Sequence, residues 1–218
     1  LNCIVCGCLV DSFVDIKSQI EYFECGRCEL IMKSPDNFAS FEKQKMRYDL
    51  HENSADDIGY QRYFARFIDF VLPQIDGVGS ALDFGCGAST LLSQMLERHG
   101  VECDYYDPIY HPDLSFKSKR YDLIVSVEVF EHLHDPRGTF KMLVNRLNHN
   151  GYLALQTEFR PSSREEFLEW YYRLDPTHIL FFSPKTLETL SDTYLLKSIS
   201  NNGKNIILFQ KKEMKNIL

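Results

Sequence analysis

From residue 78 onward, short apolar runs alternate with amphipathic stretches, and this alternation restricts what the chain can fold into. Val78–Phe84, Val101–Tyr106, Tyr121–Val127 and Tyr152–Thr157 read as strands. Tyr121–Val127 has the near-continuous apolar character of a strand covered on both faces. Leu91, Leu92, Met95 and Leu96 recur at helical spacing over 89–99. Asp135-Pro136 starts a second helix, with proline at its first position and Phe140, Leu143, Val144 and Leu147 inward. Ser183-Pro184 starts a third. Strands and helices in alternation predict an α/β fold built on a doubly wound, mostly parallel sheet. Leu195–Ser200 and Ile206–Lys211 flank Asn202-Gly203 and predict a closing hairpin with an antiparallel C-terminal strand.

Residues 1–33 are a different kind of unit. Cys3-Ile4-Val5-Cys6 and Cys25-Gly26-Arg27-Cys28 are two CxxC knuckles with eighteen residues between them. That spacing matches a four-cysteine zinc site, a small zinc ribbon. Each knuckle puts two thiolates on one tight turn, and two facing turns complete a tetrahedron. Cys8 is an alternative to Cys6; the matched spacing favours Cys6. Gly7 and Gly26 supply the turn flexibility, and Leu9–Ile16 and Ile20–Glu24 read as short strands. With Cys3, Cys6, Cys25 and Cys28 as ligands, no coordination position stays open, so the zinc is structural.

Residues 34–77 join the two parts. A polar connector, 34–54, leads to a helix over 55–75, with Ser54 and Asp57 as a capping box. Tyr60, Phe64, Phe67, Ile68, Val71, Leu72 and Ile75 make its inward stripe, and Pro73 predicts a kink or an early stop. The organisation is therefore a ribbon at 1–33, a connector with an N-terminal helix at 34–77, and an α/β domain at 78–218.

Composition narrows the partners. The net charge of -7 makes nucleic acid and anionic membrane poor defaults. No apolar run is long enough to cross a bilayer. Seven cysteines would leave one unpaired in a secreted chain, so a reducing cytoplasm with metal-bound thiolates fits better.

The segment Leu82-Asp83-Phe84-Gly85-Cys86-Gly87-Ala88-Ser89 joins the first sheet strand to its helix. Ligands of such sheets bind at the carboxyl ends of the strands. Two glycines let the backbone approach a ligand closely. Asp107, 22 residues after Gly85, ends the second strand and can accept hydrogen bonds from both hydroxyls of a ribose. The later glycine of a dinucleotide turn is replaced by Thr90. With no pyrophosphate to cradle, a methyl-donor nucleoside fits better than a dinucleotide.

Leu82-Asp83-Phe84-Gly85-Cys86-Gly87, Tyr106-Asp107-Pro108 and Glu128-Val129-Phe130-Glu131-His132-Leu133 resemble the successive motifs of class I S-adenosylmethionine-dependent methyltransferases. Tyr48–Ser54 and Asp175-Pro176-Thr177-His178 through Leu187 resemble a bacterial subgroup that carries a zinc ribbon in front. The resemblance implies a Rossmann-like fold and S-adenosylmethionine as cofactor. It implies that Asp83, Gly85, Cys86 and Gly87 surround the methionine part and that Asp107, with Pro108, holds the ribose. Val127 and Glu128 then close the site after the fourth strand. Residues 109–120 depart from the family, showing no third strand with an acidic end; Asp113 is the only nearby candidate for adenine.

Methyl transfer asks for alignment, exclusion of water and removal of a proton. His132 and His178 are the candidate bases, because imidazole titrates near neutral pH, with Glu131 as their neighbour. Glu128, Glu131, His132 and His178 resemble the divalent-metal site of certain O-methyltransferases, so a second metal is a further expectation. Tyr48 and His51 are candidates for a lid, and Trp170, Tyr171, Tyr172, Phe181 and Phe182 for the wall of the acceptor pocket or for plain core. A small-molecule acceptor is the first expectation. An RNA acceptor gripped by the ribbon is disfavoured, since the ribbon offers only Lys17, Arg27 and Lys33. A non-catalytic binding module is the remaining alternative.

Overall fold

The computed structural model describes residues 1–40, 42, 43, 46 and 57–212. Its strands are β1 (Asp11–Asp15), β2 (Ile20–Glu24), β3 (Ile31–Lys33), β4 (Ser80–Phe84), β5 (Glu102–Tyr106), β6 (Tyr121–Val127), β7 (Leu147–Gln156), β8 (Leu180–Phe181), β9 (Leu196–Asn201) and β10 (Ile206–Lys211). The α-helices are α1 (Ile58–Val71), α2 (Leu91–Arg98), α3 (Pro136–Arg146), α4 (Arg164–Glu169) and α5 (Pro184–Thr193).

The main sheet runs in the order β5-β4-β6-β7-β10-β9. β5, β4, β6 and β7 are mutually parallel, and β10 lies antiparallel between β7 and β9. This is the Rossmann-like doubly wound sheet expected from the alternation, with the closing hairpin in place. Among the described residues, 109–120 supply only a short 3-10 turn at Ser115–Ser118 and no strand.

Side chains of a strand point alternately to its two faces, so neighbours in sequence enter opposite cores. Leu123, Val125, Ala154, Ile206 and Leu208 pack with α1 and α2 through Phe64, Phe67, Ile68, Leu91, Leu92 and Leu96. Ile124, Leu153, Leu155, Ile207 and Phe209 pack with α3 and α5 through Phe140, Leu143, Leu187 and Leu190. α1 is capped by Asp57, whose carboxylate accepts from the Gly59 and Tyr60 amides. Ser54 lies outside the described residues. Pro73 acts as expected: α1 ends at Val71 and passes into a 3-10 turn at Leu72–Gln74.

The two cysteine knuckles share one backbone pattern. The Cys3 amide donates to the Cys8 carbonyl at 2.8 Å and the Gly7 amide to the Cys3 carbonyl at 2.9 Å. The Cys25 amide donates to Leu30 at 2.9 Å and the Glu29 amide to Cys25 at 2.8 Å. The left-handed residue of each knuckle is Gly7, φ 75°, and Glu29, φ 66°. The flexibility assigned to Gly26 by sequence is not used there. The turn closes on its fourth residue after Cys25, and that residue is Glu29.

The ribbon strands do not end at residue 33 in pairing terms. The small sheet runs β1-β2-β3-β8, and β8 comes from the segment between β7 and α5. Ile31 pairs with Phe181 and Met32 with Leu180. Cys3, Val5, Leu30 and Met32 share one buried cluster with Phe130, Phe140 and Phe182. Among the described residues, no helix is long and apolar enough to cross a membrane.

Candidate functional site

β4 and β5 set the floor of the main cavity. After β4 the chain turns sharply, and the Gly85 and Cys86 amides both donate to the Tyr106 carbonyl at the end of β5, at 2.7 and 3.1 Å. Gly85 has φ 85°, and a Cβ there would stand 2.3 Å from Val129 Cγ2. Only glycine fits that position, on both conformation and space. Gly87, φ 67°, faces open space.

Asp107 closes the same corner. Its Oδ1 accepts from the Ile109 and Tyr110 amides at 2.8 and 3.0 Å, and its Oδ2 accepts from the Gly87 amide at 3.2 Å. An ionised carboxylate offers about four lone-pair directions, so acceptor capacity remains. Asp83 is buried, accepts from Ser93 Oγ at 3.1 Å, and is pushed up to about 7 by burial, with Asp107 adding to the rise.

These residues line a cavity of about 930 Å³. Asp83, Gly85, Cys86, Gly87, Asp107, Pro108, Val127 and Glu128 all border it, as do Tyr60, Tyr63 and Phe64 of α1. His132, Asp175, Thr177 and His178 border it as well. The structure thus gathers the cofactor candidates and both histidine candidates around one space. Asp113 is not among its lining residues; its carboxylate accepts from the Ser115 amide at 2.9 Å. Tyr48 and His51 lie outside the described residues.

The chain just after β6 is unusually acidic for so buried a place. β6 ends at Val127, and Glu128 follows in the left-handed region at φ 54°. A non-glycine residue there is uncommon, and such strain concentrates at functional sites. Glu128 accepts from the Tyr63 hydroxyl and the Tyr172 hydroxyl, each at 2.8 Å. Glu131, 0% exposed, approaches the same Tyr172 hydroxyl at 2.7 Å, and its Oε2 has no partner among the described residues. Burial and the neighbouring Glu131 carboxylate push Glu128 up to about 8; burial raises Glu131 too.

Both histidines are fixed through Nδ1. His132 Nδ1 lies 3.0 Å from the Thr177 carbonyl and His178 Nδ1 lies 2.7 Å from the Tyr172 carbonyl. A carbonyl can only accept, so each Nδ1 carries the proton and each neutral ring presents an Nε2 lone pair. Burial holds both rings below the usual imidazole range, His178 at about 3. The two rings stand 4.8 Å apart.

Of the four expected metal ligands, Glu131, His132 and His178 bring their ligand atoms within 4.8 Å of one another. Glu128 stands outside that group, engaged by the two tyrosines. In the ribbon, Cys3, Cys6, Cys25 and Cys28 converge in the same way, with Sγ separations of 3.5 Å (Cys3–Cys28) and 3.4 Å (Cys6–Cys25). Cys8 lies outside, its sulfur 3.5 Å from the Arg27 guanidinium.

Sequence reasoning missed Tyr63 as a polar contact of the site. The available signal was a phenol beside the apolar stripe of α1. Tyr172 was noted only as one of an aromatic group. Phe181 and Phe182 from that group are core, fully buried, while Tyr171 is exposed.

A methyltransferase-domain family matches residues 57–197. No curated protein matches the chain significantly. Among solved structures, an O-methyltransferase family protein from Burkholderia thailandensis is similar at 12% identity and TM-score 0.57, over 79% of this chain. The chain spans 64% of that protein, less than two thirds. A 1,6-didemethyltoxoflavin-N1-methyltransferase from Burkholderia thailandensis, solved with 1,6-didemethyltoxoflavin and S-adenosylhomocysteine, is similar over 94% of this chain and 100% of its own, at 11% identity and TM-score 0.58. The N-methyltransferase NodS from Bradyrhizobium japonicum WM9, solved with S-adenosylhomocysteine, covers 78% of this chain and 98% of its own, at 14% identity and TM-score 0.52. At such identities the likeness shows the fold. The family match spans well over half of the chain and takes in both the glycine turn and the histidine wall, and on that ground the chain belongs to the methyltransferase-domain family.

Proposed function

We propose that this protein transfers a methyl group from S-adenosylmethionine to a small-molecule acceptor, at oxygen or carbon. The observation that carries the reading is the gathering of Gly85–Gly87, Asp107, His132 and His178 around one cavity of about 930 Å³. That volume is near the top of the ~300–1,000 Å³ range of small-molecule sites, room for a cofactor and an acceptor together.

The methyl group of bound S-adenosylmethionine is already activated by its sulfonium. Asp107 would accept from the ribose hydroxyls, and Asp83 with the Gly85–Gly87 backbone would face the methionine part. His178 is the better placed base. Its Nδ1 proton is committed to Tyr172, so Nε2 is left to take the acceptor's proton once the methyl bond has formed and made that proton strongly acidic, which a ring held at about 3 can still accept. His132 has its Nε2 3.8 Å from Glu131 Oε1 and would orient rather than abstract. Tyr63 and Glu128 line the cavity, and Tyr172 and Glu131 are buried against Glu128. The acidic net charge favours a metabolite over RNA.

The four ribbon cysteines fit zinc. Zn–S bonds of about 2.3 Å put the corners of a tetrahedron about 3.8 Å apart, close to the sulfur separations seen. Such a site is structural, with no position for substrate. A divalent ion at Glu131, His132 and His178 is a second reading, favoured by the approach of their ligand atoms and the partnerless Glu131 Oε2.

Calorimetric titration of the zinc-loaded protein with S-adenosylmethionine and S-adenosylhomocysteine tests the reading. One-to-one binding is expected, weakened on the order of a hundredfold by Asp107→Ala, which removes two charge-assisted hydrogen bonds. A folded protein that binds neither ligand overturns the proposal. Repeating the titration with magnesium decides the second reading: tighter binding supports the ion and unchanged binding removes it.

A further inference from the structure

Lys33 is the last residue of the third ribbon strand, and it is only 3% exposed. A lysine is almost never so buried without a partner. Here the ammonium donates to the Asp175 carbonyl at 3.3 Å. That carbonyl also accepts the backbone N–H of His178, at 3.2 Å. The backbone N–H of Lys33 donates to the Ile179 carbonyl at 2.8 Å. One residue of the ribbon therefore holds the chain on both sides of His178. Its side chain grips the turn before the histidine, and its main chain grips the residue after it.

We propose that Lys33 is a positioning residue for the acceptor-side histidine: the ribbon carries its ammonium to the carbonyl that also anchors His178, and so fixes where that imidazole stands. The proposal rests on the reading of His178 as the proton acceptor, and it gives the ribbon a task in the site beyond binding zinc.

The chemistry of the position points the same way. A methionine or leucine would fill this space without the cost of burying a charge. Burial brings the ammonium down to about 8, the Asp175 carboxylate opposing and the Arg173 guanidinium adding to the fall, so it is still charged at neutral pH. A charged donor makes a stronger bond to a carbonyl than a neutral one. The Asp175–His178 turn is also held by Asp175 Oδ1, which accepts from the amide and hydroxyl of Thr177 at 2.9 and 2.6 Å. Those bonds fix Thr177, whose carbonyl takes His132, while the Asp175 carbonyl takes Lys33 and His178. With the turn pinned, the His178 ring meets the Tyr172 carbonyl at 2.7 Å and keeps a single tautomer. Without the ammonium, the Asp175 carbonyl loses its charged donor and the turn rests on its remaining bonds, the Ile179 N–H to the Glu131 carbonyl at 2.8 Å among them, so the Nδ1 bond is less firmly placed.

The test uses the full zinc-loaded chain, saturated with S-adenosylhomocysteine and labelled with nitrogen-15 in its seven histidines. The His178→Gln spectrum identifies the His178 signals. The wild type is expected to show His178 as one Nδ1–H tautomer. In Lys33→Met the Nδ1 and Nε2 shifts move toward each other as the tautomers mix, and exchange of the His178 amide quickens on the order of tenfold. Lys33→Arg restores the single tautomer. Lys33→Gln, which keeps a donor without the charge, is measured alongside and falls between. Zinc content and the other histidine signals report the ribbon's integrity. A His178 spectrum identical to wild type in zinc-retaining Lys33→Met and Lys33→Gln overturns the proposal. Loss of S-adenosylhomocysteine binding in the wild type overturns it too, through the underlying reading, and that failure shows in calorimetry rather than in the histidine spectrum.

Discussion

Glu128 and Glu131 meet at a single hydroxyl, that of Tyr172, at 2.8 and 2.7 Å. One O–H has one hydrogen. It can serve one carboxylate, and the other contact then needs a proton from a carboxyl group. The three groups thus hold a shared proton in a buried place, and Tyr172 is a common partner of the two carboxyl groups. Tyr172→Phe keeps the ring against Trp170 and His178 and removes that partner. Glu131, fully buried and already lacking a partner for Oε2, loses its Oε1 bond as well. Stability should fall by about 2 kcal/mol in denaturant melts. An unchanged midpoint would mean that the carboxyl pair is held by something other than this hydroxyl.

Asp83 gives a pH dependence of opposite kind to an ordinary surface carboxylate. Burial pushes it up to about 7 from the model-compound 3.8, with Ser93 opposing and Asp107 adding. Between those values the folded protein holds a proton that the unfolded chain has released. The stabilisation is complete below about pH 4 and is lost as the pH rises through 7. Thermal melts of the ligand-free protein should therefore soften from pH 5 to pH 8, and Asp83→Asn should make that part of the curve shallower, leaving the share of Glu128 and Glu131. If the ammonium of S-adenosylhomocysteine sits beside Asp83, its binding expels this proton. Affinity should then be higher at pH 8 than at pH 6, with proton release visible in buffers of different ionisation enthalpy. Equal affinities at the two pH values would place the ammonium elsewhere.

Elements with strong local signals were legible, and contacts between distant segments were not. β6 coincides with its expected range because a seven-residue stretch that is apolar except for Asp122 and Ser126, bounded by Arg120 and Glu128, leaves little choice. α3 and α5 begin where Asp135-Pro136 and Ser183-Pro184 place them, since capping and the fixed φ of proline are local chemistry. The glycine turn and Asp107 were legible for the same reason. β8 is two residues long and has no periodicity to read; it exists because β3 lies beside it. Lys33 reads in sequence as one of few ribbon bases, and the carbonyl that receives its ammonium lies 142 residues away. Tyr63 and Tyr172 reach Glu128 across separations of 65 and 44 residues. The acid-rich wall is a product of topology, assembled from α1, the turn after β6 and the segment before β8.

The ribbon cysteines can be separated by substitution. Cys25 is buried within the sulfur cluster, whereas Cys8 lies beside Arg27 and outside it. Cys25→Ser should lose the bound zinc, because a serine hydroxyl does not replace a thiolate in a four-sulfur site. Cys8→Ser should keep one zinc per chain. Elemental analysis of the two variants decides the ligand set; full zinc in Cys25→Ser would reassign it. Loss of zinc should also lower the melting temperature of the whole chain rather than of a detached module, because Cys3, Val5, Leu30 and Met32 share a core with Phe140 and Phe182.

Asp15 and Arg173 tie the first ribbon strand to the segment that delivers Tyr172. Arg173 Nη1 lies 2.9 Å from Asp15 Oδ2, and each side chain is 5% exposed. Asp15 also accepts from the Lys17 amide and the Ser18 hydroxyl, and Arg173 Nε donates to the Leu168 carbonyl, so both partners are held from behind. Removing one member leaves the other charged and buried. Asp15→Asn should therefore cost about 3 kcal/mol of stability, and Arg173→Met a similar amount. A buried pair is a weak source of net stability, because desolvation cancels most of the attraction. The double variant Asp15→Leu with Arg173→Met should thus recover most of what either single change loses. If the pair serves only stability, the recovered double variant will bind S-adenosylhomocysteine and hold Tyr172 as the wild type does. If it also fixes the segment from 171 to 174, the double variant will melt like wild type while hydrogen exchange there quickens, and exchange read beside the melting curve separates the two.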